Sequence, residues 1–137
     1  MPFTTNIIVR FGDCDPAGLV YYPVIFHYLH VAMEEFIESV VRIGYNELMV
    51  SERIGFPTVK VEAEFRKQIL YGDQVQITVR AIKVGRSSLT LQYDLARSTD
   101  NVAYATATLV HVAMSLDTRR SIEIPDRFRE ALMNSTN

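Results

Sequence analysis

The stretch PVIFHYLHVAMEEFIESVVR, residues 23–42, spaces its apolar residues at a helical period. Ile25, Leu29, Ala32, Phe36 and Val40 fall on one face, and His27, His30, Glu34, Glu38 and Arg42 on the other. The spacing predicts one amphipathic helix of about five turns. Pro23 suits its first turn, where a missing N–H leaves no bond unmade. Gly44 is placed to end it.

Working outward, residues 5–11 read as a short β-branched strand. Residues 12–18 crowd Gly, Asp and Pro into a tight loop. Beyond the helix, residues 45–54 read as a second, shorter helix closed by Gly55 and Pro57. The chain then changes to a period of two. Val59, Val61, Ala63 and Phe65 alternate with Lys60, Glu62, Glu64 and Arg66. Val75, Ile77, Val79 and Ala81 alternate with Gln74, Gln76, Thr78 and Arg80, and Leu89, Leu91, Tyr93 and Leu95 with Thr90, Gln92, Asp94 and Ala96. A long strand over about 102–115 places Ala103, Ala105 and Ala107 on a single face, so that a helix can lie close to it. Turn signals at Tyr71-Gly72-Asp73, Gly85-Arg86 and Ser98-Thr99-Asp100-Asn101 predict an antiparallel meander. A final short helix follows Pro125. The order predicts an α+β fold in which an antiparallel sheet curves around one long central helix.

The 137 residues fit one domain spanning residues 1–137. With 48% hydrophobic and 22% charged residues, intrinsic disorder of the whole is excluded. A net charge of -2 speaks against a general nucleic-acid binder. Cys14 is the single cysteine, so no intrachain disulfide forms, which suits a reducing compartment. Residues 1–6 have no basic segment followed by an apolar run. The longest apolar candidate, residues 20–33, carries His27 and His30 and ends at Glu34-Glu35, so no transmembrane helix is expected. These features together predict a soluble, cytoplasmic protein.

The densest polar constellation is Phe11-Gly12-Asp13-Cys14-Asp15-Pro16-Ala17-Gly18-Leu19-Val20-Tyr21-Tyr22-Pro23. It sets two acids just before the start of the long helix. A helix N-terminus offers unpaired N–H groups and about half a positive charge, which can polarise a carbonyl. A carboxylate beside it can attack that carbonyl or activate a water. Pro23 has no N–H, so the donors are Tyr22, Val24 or Ile25. Acids also cap helices for purely structural reasons, and the residues alone leave both readings open.

This loop closely resembles the active-site loop of the 4-hydroxybenzoyl-CoA thioesterase family, among the hotdog-fold acyl-CoA thioesterases. The order of elements over nearly the whole chain is similar as well. The resemblance implies a hotdog fold, hydrolysis of an acyl-CoA to CoA and a carboxylic acid, and no metal or redox cofactor. It also implies homodimers joined edge to edge through their sheets, often paired again into a homotetramer. It assigns the catalytic carboxylate to Asp15, as nucleophile or general base, and the polarising amide to Tyr22. Gly18 then lets the loop backbone pass close to the ligand, and Asp13 shapes the loop. Many related bacterial enzymes carry His where this chain has Tyr22, so no imidazole acts there. The family's helix acid that recognises a phenol is matched by His30, and the hydroxybenzoyl substrate is not carried over. The Lys83-Val84-Gly85-Arg86 turn matches a CoA-contacting region, which makes Arg86, Ser87 and Ser88 candidate substrate-binding residues and Arg119-Arg120 a further candidate for phosphate.

Other readings of these residues are weaker. His27, His30 and Glu34 share a helical stripe that can hold a metal, but a polar face at a subunit contact or in solvent accounts for them. Cys14 reads as a packing thiol. His111 reads as a satisfied core histidine. Asp13-x-Asp15 after a strand is superficially like a haloacid-dehalogenase phosphatase loop, but hairpin strands do not build that parallel sheet. The competing class is a module that binds acyl-CoA or acyl carrier protein without hydrolysing it.

Overall fold

A helix α1, Tyr22–Val41, forms where the apolar period falls, and its buried residues are Ile25, Tyr28, Leu29, Ala32, Met33, Phe36 and Ile37. The computed structural model describes residues 2–136. Pro23 lies in the first turn of α1. The helix ends earlier than Gly44 predicts, because Arg42 itself adopts the left-handed conformation (φ 64°) and donates its N–H to Glu38 O. Gly44, with φ −63°, instead precedes the short helix α2, Tyr45–Val50.

The strands are β1 (Phe3–Ile8), β2 (Ile54–Gly55), β3 (Thr58–Phe65), β4 (Gln74–Val84), β5 (Ser88–Arg97), β6 (Ala103–Val112) and β7 (Met114–Ser115). A final helix α3 covers Asp126–Asn134. The expected helix over 45–54 thus stops at Val50, and Ile54–Gly55 pairs with Met114–Ser115. The expected strand over 102–115 is broken at Ala113, whose amide donates to Ser87 O.

One five-stranded antiparallel sheet has the order β1-β4-β5-β6-β3. The segment β4-β5-β6 is the meander the turn signals predict. The step from β3 to β4 is not a hairpin, and here the structure corrects the sequence reading. The amides of Arg66 and Lys67 both donate to Tyr104 O, which holds the end of β3 against β6. The chain then runs past the loop in front of α1, where Val20 N donates to Ile69 O (2.8 Å) and Tyr71 N to Gly18 O (3.0 Å). Only then does it enter β4 on the far side of β5. The backbone bonds of residues 66–73 therefore tie the loop to the sheet.

The inner face carries Val75, Ile77 and Val79 of β4, Leu89, Leu91, Tyr93 and Leu95 of β5, and Ala105, Ala107 and Leu109 of β6, all buried. Ala103, grouped with the other two alanines by the sequence period, is exposed, since a bulge at Leu95/Ala96 shifts the register there. The strand β3 is different. Val61, Ala63 and Phe65 pair with Leu109, Ala107 and Ala105, yet all eight of its residues are exposed. Phe26 of α1 meets Phe65 edge to face at 6.4 Å, the described residues otherwise leave this strip open, and its outer edge has no strand beside it.

His111 is the one buried polar side chain among the described residues, at 1% exposure. Its Nδ1 lies 3.1 Å from Thr58 Oγ1 and its Nε2 3.0 Å from the Tyr93 hydroxyl. This is the satisfied core histidine the sequence suggests. Burial pulls its pKa from the usual 6.5 down to about 4. The unfolded chain therefore binds the extra proton between those values. The stability contribution is fully present above about pH 6.5, is lost as pH falls toward 4, and is constant below that. Urea titrations across this range should show a loss of about 2–3 kcal/mol in the wild type. In His111→Gln this part of the pH slope should vanish, and an unchanged slope would assign it elsewhere.

Candidate active site

The loop between β1 and α1 is held by its own side chains. Asp13 Oδ2 accepts from Arg10 N (3.0 Å) and from the Tyr28 hydroxyl (2.7 Å), so this acid ties the loop to the buried face of α1. Burial and the neighbouring Asp13 both raise the Tyr28 pKa, which keeps the phenol protonated as donor. Asp13 is thus a brace, as the resemblance implies.

Asp15 is held differently. Its Oδ1 accepts from Ala17 N (2.9 Å) and Leu19 N (3.2 Å), and its backbone exchanges bonds with Leu19 O and Gly18 N. The second oxygen, Oδ2, has no hydrogen bond to the described residues. Asp15 lines a hollow of about 380 Å³ together with Tyr21, Tyr22, Ile25, Phe65 and Ile69. Tyr22 is the first residue of α1, so its N–H has no acceptor within the helix. It also has no backbone acceptor elsewhere among the described residues. The Val24 N–H is taken by Tyr21 O (2.8 Å). Of the donors proposed for the helix start, the Tyr22 amide is therefore free and the Val24 amide is not. A carboxylate oxygen and a free amide at one hollow can respectively supply a base or nucleophile and polarise a carbonyl.

Gly18 has φ +80°, and a Cβ placed there would meet nothing within 4 Å. The positive φ by itself requires glycine here. Cys14 Sγ donates to Arg10 O at 3.6 Å, and desolvation together with Asp13 and Asp15 raises its pKa. That is the environment of a packing thiol rather than a reactive one.

The remaining candidates do not gather at this hollow within the chain. His30 pairs with Glu34 (2.7 Å) and borders a second hollow farther along α1. His27 is exposed. Arg86 and Ser87 occupy the turn between β4 and β5, and Ser88 opens β5. The opposite end of β4 is the one tied to the Asp15 loop, and an 11-residue strand puts the turn roughly 30 Å away. Arg86 is 83% exposed, with Glu123 at 3.7 Å, while its carbonyl and that of Gly85 accept from Arg129. Arg119 and Arg120 lie in an exposed turn after β7. The structure instead places Arg66 and Lys67 at the Asp15 hollow. Sequence reasoning missed these two, and their only signal is a basic pair directly after the alternating strand.

A family model described as "Thioesterase-like superfamily" matches residues 9–132. The chain belongs to the thioesterase-like superfamily. It has the superfamily's hotdog fold. A 1,4-dihydroxy-2-naphthoyl-CoA hydrolase of Nostoc punctiforme is 30% identical over 126 residues, covering 92% of this chain and 83% of that protein. Among solved structures, 4-hydroxybenzoyl-CoA thioesterase from Pseudomonas sp. strain CBS-3 superposes with a TM-score of 0.86 at 27% identity, covering 95% of this chain and 98% of that one. A 1,4-dihydroxy-2-naphthoyl-CoA thioesterase from Synechocystis superposes with a TM-score of 0.85 at 20% identity, covering 100% and 99%, and this likeness speaks for the fold alone. No helix in the described residues is long and apolar enough to cross a membrane.

The φ of Gly18 sets a clean test. Gly18→Ala should lower stability by about 1–2 kcal/mol through backbone strain alone. Gly12→Ala has equal space and no positive φ, and should cost a small fraction of that. Equal melting shifts for the two variants would disprove the conformational account.

Proposed function

We propose that this protein is an acyl-CoA thioesterase that hydrolyses a hydroxylated aromatic acyl-CoA. The observation that carries the reading is the pairing, at one hollow, of the free Tyr22 amide with the unbonded oxygen of Asp15. The thioester carbonyl oxygen accepts from Tyr22 N–H at the positive end of α1. Asp15 then either takes a proton from water as the water oxygen attacks, or attacks the carbonyl itself to give an anhydride that water opens. In both routes the C–S bond breaks, the thiolate of CoA leaves and takes up a proton, and the acyl group ends as a carboxylic acid. The oxygen held by Ala17 and Leu19 fixes the carboxylate's orientation. The naming shared by the Nostoc relative and others like it supports the naphthoyl class of acyl group. Recognition of a 4-hydroxybenzoyl group is supported only by the more distant Pseudomonas likeness.

The bare strand β3 supports a homodimer. Pairing β3 antiparallel with its own copy about Val61 sets Lys60 opposite Glu62 of the partner subunit and keeps Val59, Val61 and Ala63 on one apolar face. Pairing about Glu62 would set that carboxylate against itself. In this arrangement the far end of one sheet lies beside the Asp15 end of the other. The Arg86–Ser88 turn of the partner then joins Arg66 and Lys67 in facing the phosphates of CoA.

Free-thiol release from a panel of aromatic, short-chain and long-chain acyl-CoAs tests the activity. Asp15→Asn should lower kcat by about 10²–10⁴-fold without changing the melting profile. Full activity in the variant would sink the role of Asp15, and binding without release in the wild type would make the protein a carrier module. Val61→Lys should halve the mass measured by light scattering and lower thiol release with it. An unchanged mass would exclude β3 as the interface.

A further inference from the structure

The turn between β4 and β5 spends its backbone groups in a one-sided way. Its carbonyls all accept from within the chain. Gly85 O accepts from Arg129 Nη1 (2.8 Å), and Arg86 O from Arg129 Nη2 (2.7 Å) and Ile124 N (2.9 Å). Ser87 O accepts from Ala113 N (2.8 Å). The Arg86 and Ser87 amides, by contrast, have no acceptor among the described residues. The hydroxyls of Ser87 and Ser88 have none there either. A complete account of backbone bonds thus leaves this turn with its acceptors used and its donors open.

Peptide geometry links the two halves of that account. In a trans peptide the carbonyl of one residue and the N–H of the next lie in one plane and point opposite ways. Gly85 O shares its plane with Arg86 N–H, and Arg86 O shares the next with Ser87 N–H. The two carbonyls that Arg129 holds are therefore the partners of the two open amides. A planar guanidinium fork can hold two acceptors at once. By drawing both carbonyls inward, Arg129 turns both N–H groups outward. Among the described residues no carboxylate forms an ion pair with Arg129, whereas Arg86 has Glu123 at 3.7 Å. A cationic donor on a carbonyl polarises the peptide and strengthens its N–H as a donor. Successive N–H groups that point one way make an anion-binding concavity, here beside the exposed Arg86 side chain and two serine hydroxyls.

We propose that Arg129 is a positioning residue for CoA: by holding the Gly85 and Arg86 carbonyls it aims the Arg86 and Ser87 amides at a phosphate of the CoA bound at the partner subunit's Asp15 hollow. Arg129 itself does not touch the ligand. The inference rests on the acyl-CoA reading and on the β3-paired dimer, which brings this turn to the hollow of the other subunit. The turn reads the phosphate and not the acyl group. Its contribution is therefore present for a CoA thioester and absent for a thioester of pantetheine, which carries no phosphate.

Two thioesters of one aromatic acid, with CoA and with pantetheine, separate this role from a purely structural one. In the wild type kcat/KM should favour the CoA ester. In Arg129→Gln the CoA-to-pantetheine ratio should fall by about tenfold, and the fall should lie in KM. A ratio that the substitution leaves unchanged overturns the proposal, including the case in which both esters slow together because α3 no longer docks. Amide NMR of the wild type reads the contact without turnover and without a variant. Adding CoA should move the Arg86 and Ser87 N–H resonances, and adding pantetheine should leave them in place. Arg129→Gln should weaken the response to CoA. Two resonances that CoA does not move overturn the proposal. Absence of thiol release in the wild type, with both resonances moved by CoA, would reject the hydrolytic reading and keep the phosphate contact. Thiol release with both resonances unmoved would do the reverse.

Discussion

The Tyr28 hydroxyl donates to Asp13 Oδ2 at 2.7 Å, and this bond joins the buried stripe of α1 to the loop in front of it. Tyr28 lies in the core, so its position follows from how α1 packs on the sheet. Asp13 also accepts from Arg10 N and gives its carbonyl to Tyr21 N, so the loop turns about this residue. Asp15 and Tyr22 stand on either side of that turn. Their relation is fixed by packing at a distance from the hollow they share. In the proposed reaction a substrate then pays little ordering entropy at these two groups, which is what preorganisation requires.

Much of this was readable in the chain. The period of α1 marked its buried face because a helix packed on one side must keep its apolar residues in register. The strands β4 and β5 showed their alternation for the same reason. The Asp15 loop was legible because Asp15, Gly18 and Tyr22 are close in sequence and each has a local role. The placement of β3 was not legible. Its alternation is as regular as that of β4, and Tyr71-Gly72-Asp73 reads as a hairpin turn. What decides against a hairpin is a set of backbone bonds, from Arg66 and Lys67 to Tyr104 and between Val20 and Ile69. Backbone groups carry no sequence signature. Arg66 and Lys67 reach the Asp15 hollow by that route, so they were missed. Arg86 stood out as a turn residue, yet strand length alone separates it from Asp15 within one chain.

His111 shows how a polar group in a core can be read two ways. From sequence it is a histidine on the apolar face of a strand. In the structure both ring nitrogens are engaged and the ring is neutral, which agrees with a structural role.

Arg129, in α3, donates to the carbonyls of Gly85 and Arg86 across 44 and 43 residues of chain. The β4–β5 turn is also closed by a bond of its own, from Gly85 N–H to Ser88 O (2.8 Å). Local bonds thus give the turn its shape, and the contacts from α3, of high sequence separation, tie that shape to the far end of the chain.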